Sequence, residues 1–443
     1  MSVRLLESLV TTEPLAEVFS DRSVLAAMLQ FETALARVEA QAGIIPTSAA
    51  ETIARAADAS RFDPAAIARD ARQSATIAVP LVDALRGRVA ESDETAATFV
   101  HWGATSQDVI DTALVLCLAR AAAIIRPAHA RLLESLRHLS DTHARTIMLG
   151  RTLLQPAPPI TFGLKAAGWF AAVSRAGARL MATFDDARVL QFGGAAGTLA
   201  VLTDEGPRIA ADLARELGLN DPSAPWHAQR DRFASLVTAC GVYAGTLGKI
   251  ARDVSLLMQA DVSEAAEPGG GSSTLPHKRN PAACAAALAA ANHVPALVAA
   301  FLSGLAQEHE RAVGGWQAEA WTIAATVQAT GSALSAMADA VSGLTIDPQR
   351  MRANLVATRG VIFAERAMML LSPVLGRDHA RRIIDRAVRA TRDGQHTFAE
   401  ALAKDTDAAR VIAPGTLATF DAPEEYLGAA DVFRRRLLGG DQR

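Results

Sequence analysis

Cysteine is scarce in this 443-residue chain. The three cysteines, Cys117, Cys240 and Cys284, stand far apart and show no metal-ligand spacing. A small, odd number of cysteines is typical of a reducing compartment and argues against a disulfide framework. We therefore expect a cytoplasmic protein held together by its core. Half of the residues are apolar and 21 % are charged, which allows a large core and excludes global disorder.

A large excess of either charge is also absent. The chain has 44 basic and 47 acidic residues, a formal charge of −3. Nucleic-acid-binding proteins and polybasic membrane proteins carry a clear positive excess, so we expect neither partner. The first residues include Glu7 and Glu13 and no long apolar segment. This start is not that of a secretory signal peptide.

One stretch, 281–307, lacks charged residues altogether. It is long enough to span a bilayer. However, it consists mostly of alanine and contains Asn292, His293 and Pro295. We favour a helix buried in protein, and a membrane span is the alternative.

Aromatic residues are few, at 5 %, whereas strong helix formers dominate the chain. The sequence therefore predicts an all-α protein. Apolar residues recur at helical spacing in long stretches of the middle region. The predicted long helices are 107–146, 159–188, 229–262, 281–307 and 315–343. Such long helices with wide apolar faces favour a bundle that also packs against other copies of itself.

The two ends of the chain differ from this middle region. An N-terminal helical domain, 1–105, is predicted to hold shorter helices, one of them over 23–42. Asp63 and Pro64 have the pattern of a helix cap followed by proline at the first helical position. The central domain is predicted to cover 106–345. A small C-terminal domain, 346–443, is predicted to hold four or five short helices, such as 360–374 and 377–391.

The segment with the clearest chemical content is 268–281, PGGGSSTLPHKRNP, which we call the signature loop. Its three glycines allow unusual backbone angles, and glycine-rich backbone before a helix offers N–H donors to an anion. Lys278 is one of only four lysines in the chain and adds a full positive charge. The order of residues is not that of a nucleotide-binding P-loop. The alternative is a flexible solvated loop.

The signature loop resembles the G-S-S-x-M/L-P-x-K-x-N-P motif of the fumarase/aspartase superfamily. Two further segments, GATSQDVIDTA (103–113) and GRTLLQPAPPITFG (150–163), resemble motifs of that family in the same order. The resemblance extends over essentially the whole chain. It implies a three-domain subunit with a central bundle of five long helices. It also implies a homotetramer on a twenty-helix core, active sites drawn from three subunits, and neither a metal nor an organic cofactor.

The same resemblance implies roles for individual residues. Ser272 corresponds to the proton-transfer residue, and Lys278 and Asn280 correspond to the residues that hold the reacting carboxylate. The implied substrate-binding residues are His101, Thr105, Ser106, Gln107, Arg151, Thr152, Gln229, Ser273 and Arg311. For the outer contacts, an ordinary surface polar residue is the alternative.

The sequence departs from the superfamily at two linked positions. Where most members have Thr-His, this chain has Thr152-Leu153, and Ala285 stands where the glutamate partner of that histidine is expected. Members that expel an amine or hydroxide use a positioned acid. A carboxylate with an ordinary parent pKa near 4 needs no such acid, because it is already ionised at neutral pH. Losing both residues therefore favours chemistry in which a carboxylate adds or departs.

One branch of the superfamily performs such chemistry on 3-carboxy-cis,cis-muconate, closing a lactone in protocatechuate breakdown. The segments HWGATSQD and QRDR (229–232) also resemble that branch. The resemblance therefore implies an intramolecular lyase. An adenylosuccinate-lyase-like enzyme and a non-catalytic paralogue are the alternatives. The arginines available to clamp substrate carboxylates are not ranked by the sequence; they are Arg151, Arg230, Arg232, Arg279 and Arg311.

Overall fold

The computed structural model describes residues 5–271, 275, 278–394 and 396–440, with Asp421 described by its backbone alone. Helix dominates these residues, as the composition predicts. The α-helices are α1 Glu13–Val18, α2 Asp21–Gln41, α3 Thr47–Ala56, α4 Pro64–Ser74, α5 Ala78–Ala90, α6 Glu94–Ala97, α7 Ser106–Thr142, α8 Phe162–Asp186, α9 Gly206–Leu217, α10 Asp231–Leu257, α11 Ala282–Ser303, α12 Gly315–Ser342, α13 Pro348–Val356, α14 Ala364–Leu375, α15 Arg377–Arg392, α16 Phe398–Lys404, α17 Thr406–Val411, α18 Pro414–Ala418 and α19 Ala430–Leu437. The strands are β1 Ile147–Thr152, β2 Gln155–Thr161, β3 Ala265–Ala266 and β4 Thr345–Ile346.

The chain divides into two compact units, each built from three separate segments. Unit 1 comprises Met1–Ala130, Arg175–Lys249 and Ala285–Met337. Unit 2 comprises Arg131–Ser174, Ile250–Cys284 and Ala338–Arg443. Each change of unit falls inside one of the five long helices α7, α8, α10, α11 and α12. The predicted division at residues 105 and 345 is a different partition and stays a prediction.

All five long helices form where the apolar periodicity predicts them, with ends within a few residues of the expected bounds. Helix α7 runs for 37 residues and continues through Pro127. In unit 1, α12 packs closely at Gly331: an added Cβ would lie 2.2 Å from the Leu15 Cδ1 atom, so the Leu15 side chain would have to move. Asp63 caps α4 with Pro64 as its first residue, as predicted.

The second family motif forms a β-hairpin rather than helix. Strands β1 and β2 pair antiparallel, with an irregular register between Leu149 and Gly150. Three prolines in β2 explain why α8 begins only at Phe162, since proline within a helix removes a hydrogen bond and clashes with the preceding turn. The hairpin turn consists of Leu153 and Leu154, with φ of +50° and +63°.

The described residues from 348 onward form seven short α-helices, α13 to α19, so the predicted number of four or five is wrong. Polar caps divide this region into short pieces. Asp347 caps α13, Thr397 forms a capping box with Glu400 at α16, and Asp405 caps α17. These helices enclose an apolar core centred on buried aromatic residues, among them Phe363 and Phe398.

Two helices of the described chain are long and apolar enough to cross a membrane by length and composition, α10 and α11. In the most apolar window of α10, 56 % of the residues are buried, whereas in that of α11 only 28 % are. Helix α11 therefore presents most of its uncharged surface outside its own chain.

Candidate active site

The start of α7 is fixed by one buried carboxylate. The side chain of Asp108 accepts hydrogen bonds from the backbone N–H groups of Thr105 at 3.0 Å, Gly193 at 3.0 Å and Gly194 at 2.9 Å. His227 adds a fourth contact, with Nε2 lying 2.7 Å from Asp108 Oδ1. Four partners hold this carboxylate, so the turn that begins α7 has a defined position.

Arg311 binds the two hydroxyl groups at this turn. Its Nη1 donates to Thr105 Oγ1 at 2.7 Å and its Nη2 to Ser106 Oγ at 3.1 Å. Because both hydroxyl oxygens accept from the guanidinium, their own O–H groups are left to donate. A guanidinium, two hydroxyl donors and a helix N-terminus together suit a carboxylate ligand. We call Thr105, Ser106 and Arg311 the helix-start cluster.

His101 lies in the turn before α7. Its Nδ1 lies 2.7 Å from Oε1 of Glu32, a residue of α2 that is only 2 % exposed. Burial lowers the pKa of His101, but the nearby Glu32 carboxylate and its hydrogen bond raise it more, and the pKa is raised overall. His101 also has a left-handed backbone, with φ of +64°. Left-handed non-glycine residues are uncommon and cluster at functional sites.

Gln107 and Gln229, also predicted to bind substrate, lie in unit 1 with different surroundings. Gln107 is fully buried, and its amide nitrogen donates to Asp111 Oδ2 at 3.2 Å and to the His227 carbonyl at 2.8 Å. In this arrangement Gln107 supports the turn. Gln229 is exposed, and its backbone N–H donates to the Trp226 carbonyl. Their predicted contacts with substrate stay predictions.

Arg230 is fully buried and ion-paired. It binds Asp111 at 2.7 Å and Glu319 at 2.7 Å, and its guanidinium lies over the rings of Trp226 and Phe233. Burial lowers the pKa of Arg230, but the two carboxylates outweigh burial and raise it. Of the five arginines that the sequence leaves unranked, Arg230 is thus committed to joining α7, the start of α10 and α12.

Two predicted residues lie on the hairpin of unit 2. Both terminal nitrogens of Arg151 donate to Glu264, at 2.9 and 2.7 Å, and Glu264 also accepts from Asn354. Glu264 is fully buried, so this bidentate pair anchors β1. Thr152 is exposed at the end of β1, directly before Leu153, which is 96 % exposed.

The ends of the signature loop are held together by backbone contacts. The N–H of Asn280 donates to the Gly270 carbonyl at 2.6 Å. Gly270 has φ of +73°, and an added Cβ would lie 1.8 Å from the Asn280 oxygen, so only glycine fits there. The Lys278 side chain is exposed, and its backbone N–H donates to the Leu275 carbonyl. Ser272 and Ser273 lie outside the described residues.

A buried carboxylate closes the base of this loop. Glu267, 3 % exposed, accepts from the N–H groups of Ala283 at 2.7 Å and Cys284 at 3.1 Å. These N–H groups belong to the first turn of α11. The dipole of that helix also stabilises a negative charge at this end. The residue before the loop is therefore tied to the helix after it.

The structure brings three predicted residues together in unit 1, the helix-start cluster, and places His101 against Glu32 in the turn before α7. Arg151, Thr152, Lys278 and Asn280 belong to unit 2. Sequence reasoning missed the acids that fix these groups, which are Glu32, Asp108, Glu264 and Glu267. For Glu32 a signal existed, because its position falls on the buried face of α2 together with Met28 and Leu35. In the described part of the chain, no group of three His, Cys, Asp or Glu residues is arranged to hold a metal ion.

Comparisons with known proteins find relatives that are similar in sequence and in fold. A family model described as Lyase matches residues 7–296, and one described as Adenylosuccinate lyase C-terminus matches residues 360–437. A 3-carboxy-cis,cis-muconate cycloisomerase of Bradyrhizobium diazoefficiens is 45 % identical over 99 % of this chain and 98 % of the relative. A nitrosuccinate lyase of Streptomyces davaonensis is 39 % identical over 97 % of this chain and 93 % of the relative.

Among solved structures, the 3-carboxy-cis,cis-muconate lactonizing enzyme of Pseudomonas putida is closely similar. The TM-score is 0.91 at 39 % sequence identity, and the match covers 99 % of this chain and 98 % of that one. Because the match covers 99 % of this chain, it includes the long helices, the hairpin and the C-terminal helices.

Proposed function

Because the chain belongs to the lyase family whose model spans residues 7–296, we propose that it catalyses the cycloisomerisation of 3-carboxy-cis,cis-muconate to the carboxymuconolactone. The observation that carries this proposal is the full-length identity of 45 % with a cycloisomerase of that substrate. The TM-score of 0.91 with a lactonizing enzyme supports it. The mainly helical, fumarase-like fold predicted from the sequence is confirmed by the same likeness.

In the proposed reaction, one carboxylate oxygen of the substrate adds to a carbon of the C=C bond and forms the new C–O bond of the lactone. The electron pair of the double bond moves toward the carbon beside another carboxylate, which gives an enediolate-like dianion. Lys278 and Asn280 stabilise the developing charge, the electrostatic contribution that is usually the largest. Ser272 then delivers a proton to that carbon, which completes the isomerisation without loss of any atom.

The helix-start cluster supports this proposal as a second anchor for the substrate, which carries three carboxylates. Arg311, Thr105 and Ser106 provide a cation and two O–H donors within one turn. In the proposed site these groups bind a carboxylate that does not react and so set the orientation of the double bond. Holding the reacting groups in the right geometry lowers the barrier of the reaction.

The lack of an acid at the hairpin agrees with a carboxylate nucleophile. Leu153 occupies the position of the usual histidine, and Ala285 that of its partner. Nitrite is also a stable anion that departs without a proton, so the same two residues suit a nitrosuccinate lyase. The 39 % identity with such an enzyme makes nitrosuccinate the second candidate substrate.

The test follows ultraviolet absorbance of 3-carboxy-cis,cis-muconate, because ring closure breaks the diene conjugation. We expect protein-dependent decay of the absorbance and no release of nitrite from nitrosuccinate. Rapid nitrite release without decay would transfer the proposal to the second substrate. Cleavage of adenylosuccinate instead would mean that Leu153 and Ala285 misdirected the assignment.

Two substitutions test the roles within the signature loop. Ser272→Ala should lower kcat by orders of magnitude while the oligomer stays intact, since the proton donor is lost. Lys278→Met should weaken both binding and turnover. Lys404→Met, the same change at a lysine of α16, is the matched control and should leave kinetics unchanged. Equal kinetics in the two lysine variants would contradict the assignment of Lys278.

The proposal includes a cytoplasmic homotetramer in which three copies supply each active site. Its support is the apolar helix α11, mostly unburied within one chain, and an open groove of unit 1 whose wall includes Trp321, 72 % exposed. Exposed apolar surface on a long helix is typical of contacts between proteins. Light scattering coupled to size exclusion should give the mass of four 46.5 kDa chains.

A further inference from the structure

Glu32 is a buried acid that the proposed reaction does not use directly. Its side chain is 1 % exposed, and the one hydrogen bond its carboxylate makes within the described chain is the 2.7 Å contact with His101 Nδ1. The second oxygen, Oε2, is buried and has no hydrogen-bond partner in the described part of the chain. A carboxylate taken out of water in this way is stable only beside a positive charge.

The other acids near His101 do not depend on it as their partner, as Glu32 does. Asp108 lies close enough to raise the pKa of His101, but its carboxylate is already satisfied by three backbone N–H groups and by His227. Glu39, on the same buried face of α2, has a pKa raised to about 9 by burial, and next by Glu32, and is neutral at pH 7. Glu32 therefore faces His101 as an acid to which no other cation of the described residues is hydrogen-bonded.

We infer that Glu32 is the positioning residue of the active site, holding His101 as an imidazolium whose Nε2–H donates to a substrate carboxylate. Since Nδ1 is bound to Glu32, the geometry of the ring directs Nε2 away from that carboxylate. Among the described residues Nε2 has no hydrogen-bond partner. This inference rests on the proposed function, because it takes an anionic substrate as the ligand of Nε2.

The sign of the pH dependence follows from this arrangement. The raised pKa of His101 keeps the ring protonated to a higher pH, so substrate binding is present at low pH and is lost as pH rises through that pKa. Among the described residues, the charged groups with the largest effect on the ring are Glu32 from α2 and Asp108 from α7, which raise its pKa, and Arg86 from α5, which lowers it. Removing the charge of Glu32 should move the basic limb of the profile to lower pH.

The experiment measures kcat/KM for 3-carboxy-cis,cis-muconate against pH in wild type, Glu32→Gln and Arg86→Gln. We expect Glu32→Gln to move the basic limb down by at least one pH unit, which is a loss of tenfold or more on the alkaline side with little change at pH 6. Arg86→Gln is the control of opposite sign and should move the limb upward. Arg86 is an exposed residue paired with Asp83, so its removal should leave the fold intact. If Glu32→Gln lowers kcat/KM by the same factor at every pH and the basic limb does not move, the role of Glu32 is only structural and the inference is wrong.

A measurement without substrate separates this inference from the proposed function. Protein labelled with 13C-histidine gives a titration of each ring, and His101→Gln identifies the signal of His101. We expect the His101 signal to titrate above the ordinary pKa of about 6.5 in wild type and lower in Glu32→Gln. A wild-type midpoint below the ordinary value would overturn the inference, and this result does not depend on the folding of any Glu32 variant. Failure of the proposed function would leave the titration result standing and would instead appear as no turnover by wild type.

Discussion

Glu39 should make the protein less stable as the pH rises, and Glu39→Gln should abolish that dependence. Glu39 is fully buried, and neither of its carboxylate oxygens has a hydrogen-bond partner among the residues that the structure describes. Burial, and next the nearby Glu32, raises its pKa from 4.5 to about 9. Between these two values the folded state holds a proton that the unfolded chain has released, so unfolding becomes easier with increasing pH.

The magnitude follows from the size of the shift. One pH unit changes the free energy of unfolding by about 1.4 kcal/mol for a single proton, so the wild type should lose about 3 kcal/mol between pH 6 and pH 8 through this residue. Glutamine has nearly the same shape and no ionisable proton. The difference in stability between Glu39→Gln and wild type should therefore grow in favour of the variant across this range.

The assay is equilibrium urea unfolding at fixed protein concentration, because the stability of an oligomer depends on concentration. The slope against pH is the diagnostic quantity, since the value at any one pH also includes the cost of burying an unpaired amide. Parallel profiles for variant and wild type would refute the reasoning. Glu264→Gln is the matched control: Glu264 is equally buried but paired with Arg151, so losing its charge should destabilise the protein at neutral pH.

Three further changes test features of the packing and the loop. Arg230→Met should destabilise the protein by about 3–5 kcal/mol in urea unfolding, because Asp111 and Glu319 then lose the arginine to which both are paired. An unchanged midpoint of urea unfolding would contradict the pairing of Arg230 with Asp111 and Glu319. Leu154→Gly should raise the free energy of unfolding by about 1 kcal/mol, since φ of +63° suits glycine, and a loss of stability would mean that the side chain is buried in the assembly. Gly270→Ala should lower kcat/KM by at least tenfold without unfolding the protein, because the new Cβ meets the Asn280 carbonyl; normal kinetics would mean that the loop ends move apart freely.

The long helices could be predicted because their apolar residues repeat at helical spacing over many turns. The hairpin could not, since short strands rich in proline carry little alternation, and a helical pattern resumes soon after them. The start of α4 followed from the local signal Asp63-Pro64, and α2 lies within two residues of the predicted range 23–42. The number of C-terminal helices was underestimated because capping by Thr397 and Asp405 divides segments that composition alone leaves continuous.

The candidate site was predictable only in part, for a different reason. Thr105, Ser106 and Arg311 were found through motifs, and the structure brings them together. Glu32 and Glu264 were missed because their partners are 69 and 113 residues away along the chain. No local pattern encodes such pairings. The one usable signal was an acid on the buried face of a helix, where a charge must have a partner.

The coordination of Asp108 has a consequence for folding. Its partners Gly193, Gly194 and His227 are separated from it by 85, 86 and 119 residues. Contacts this distant form only after large loops have closed, which is slow and entropically costly. A partly folded chain with its helices already formed would still lack the fixed turn that presents Thr105 and Ser106. Capture of an anionic ligand at this turn therefore reports completion of tertiary structure, whereas helical circular dichroism reports an earlier stage.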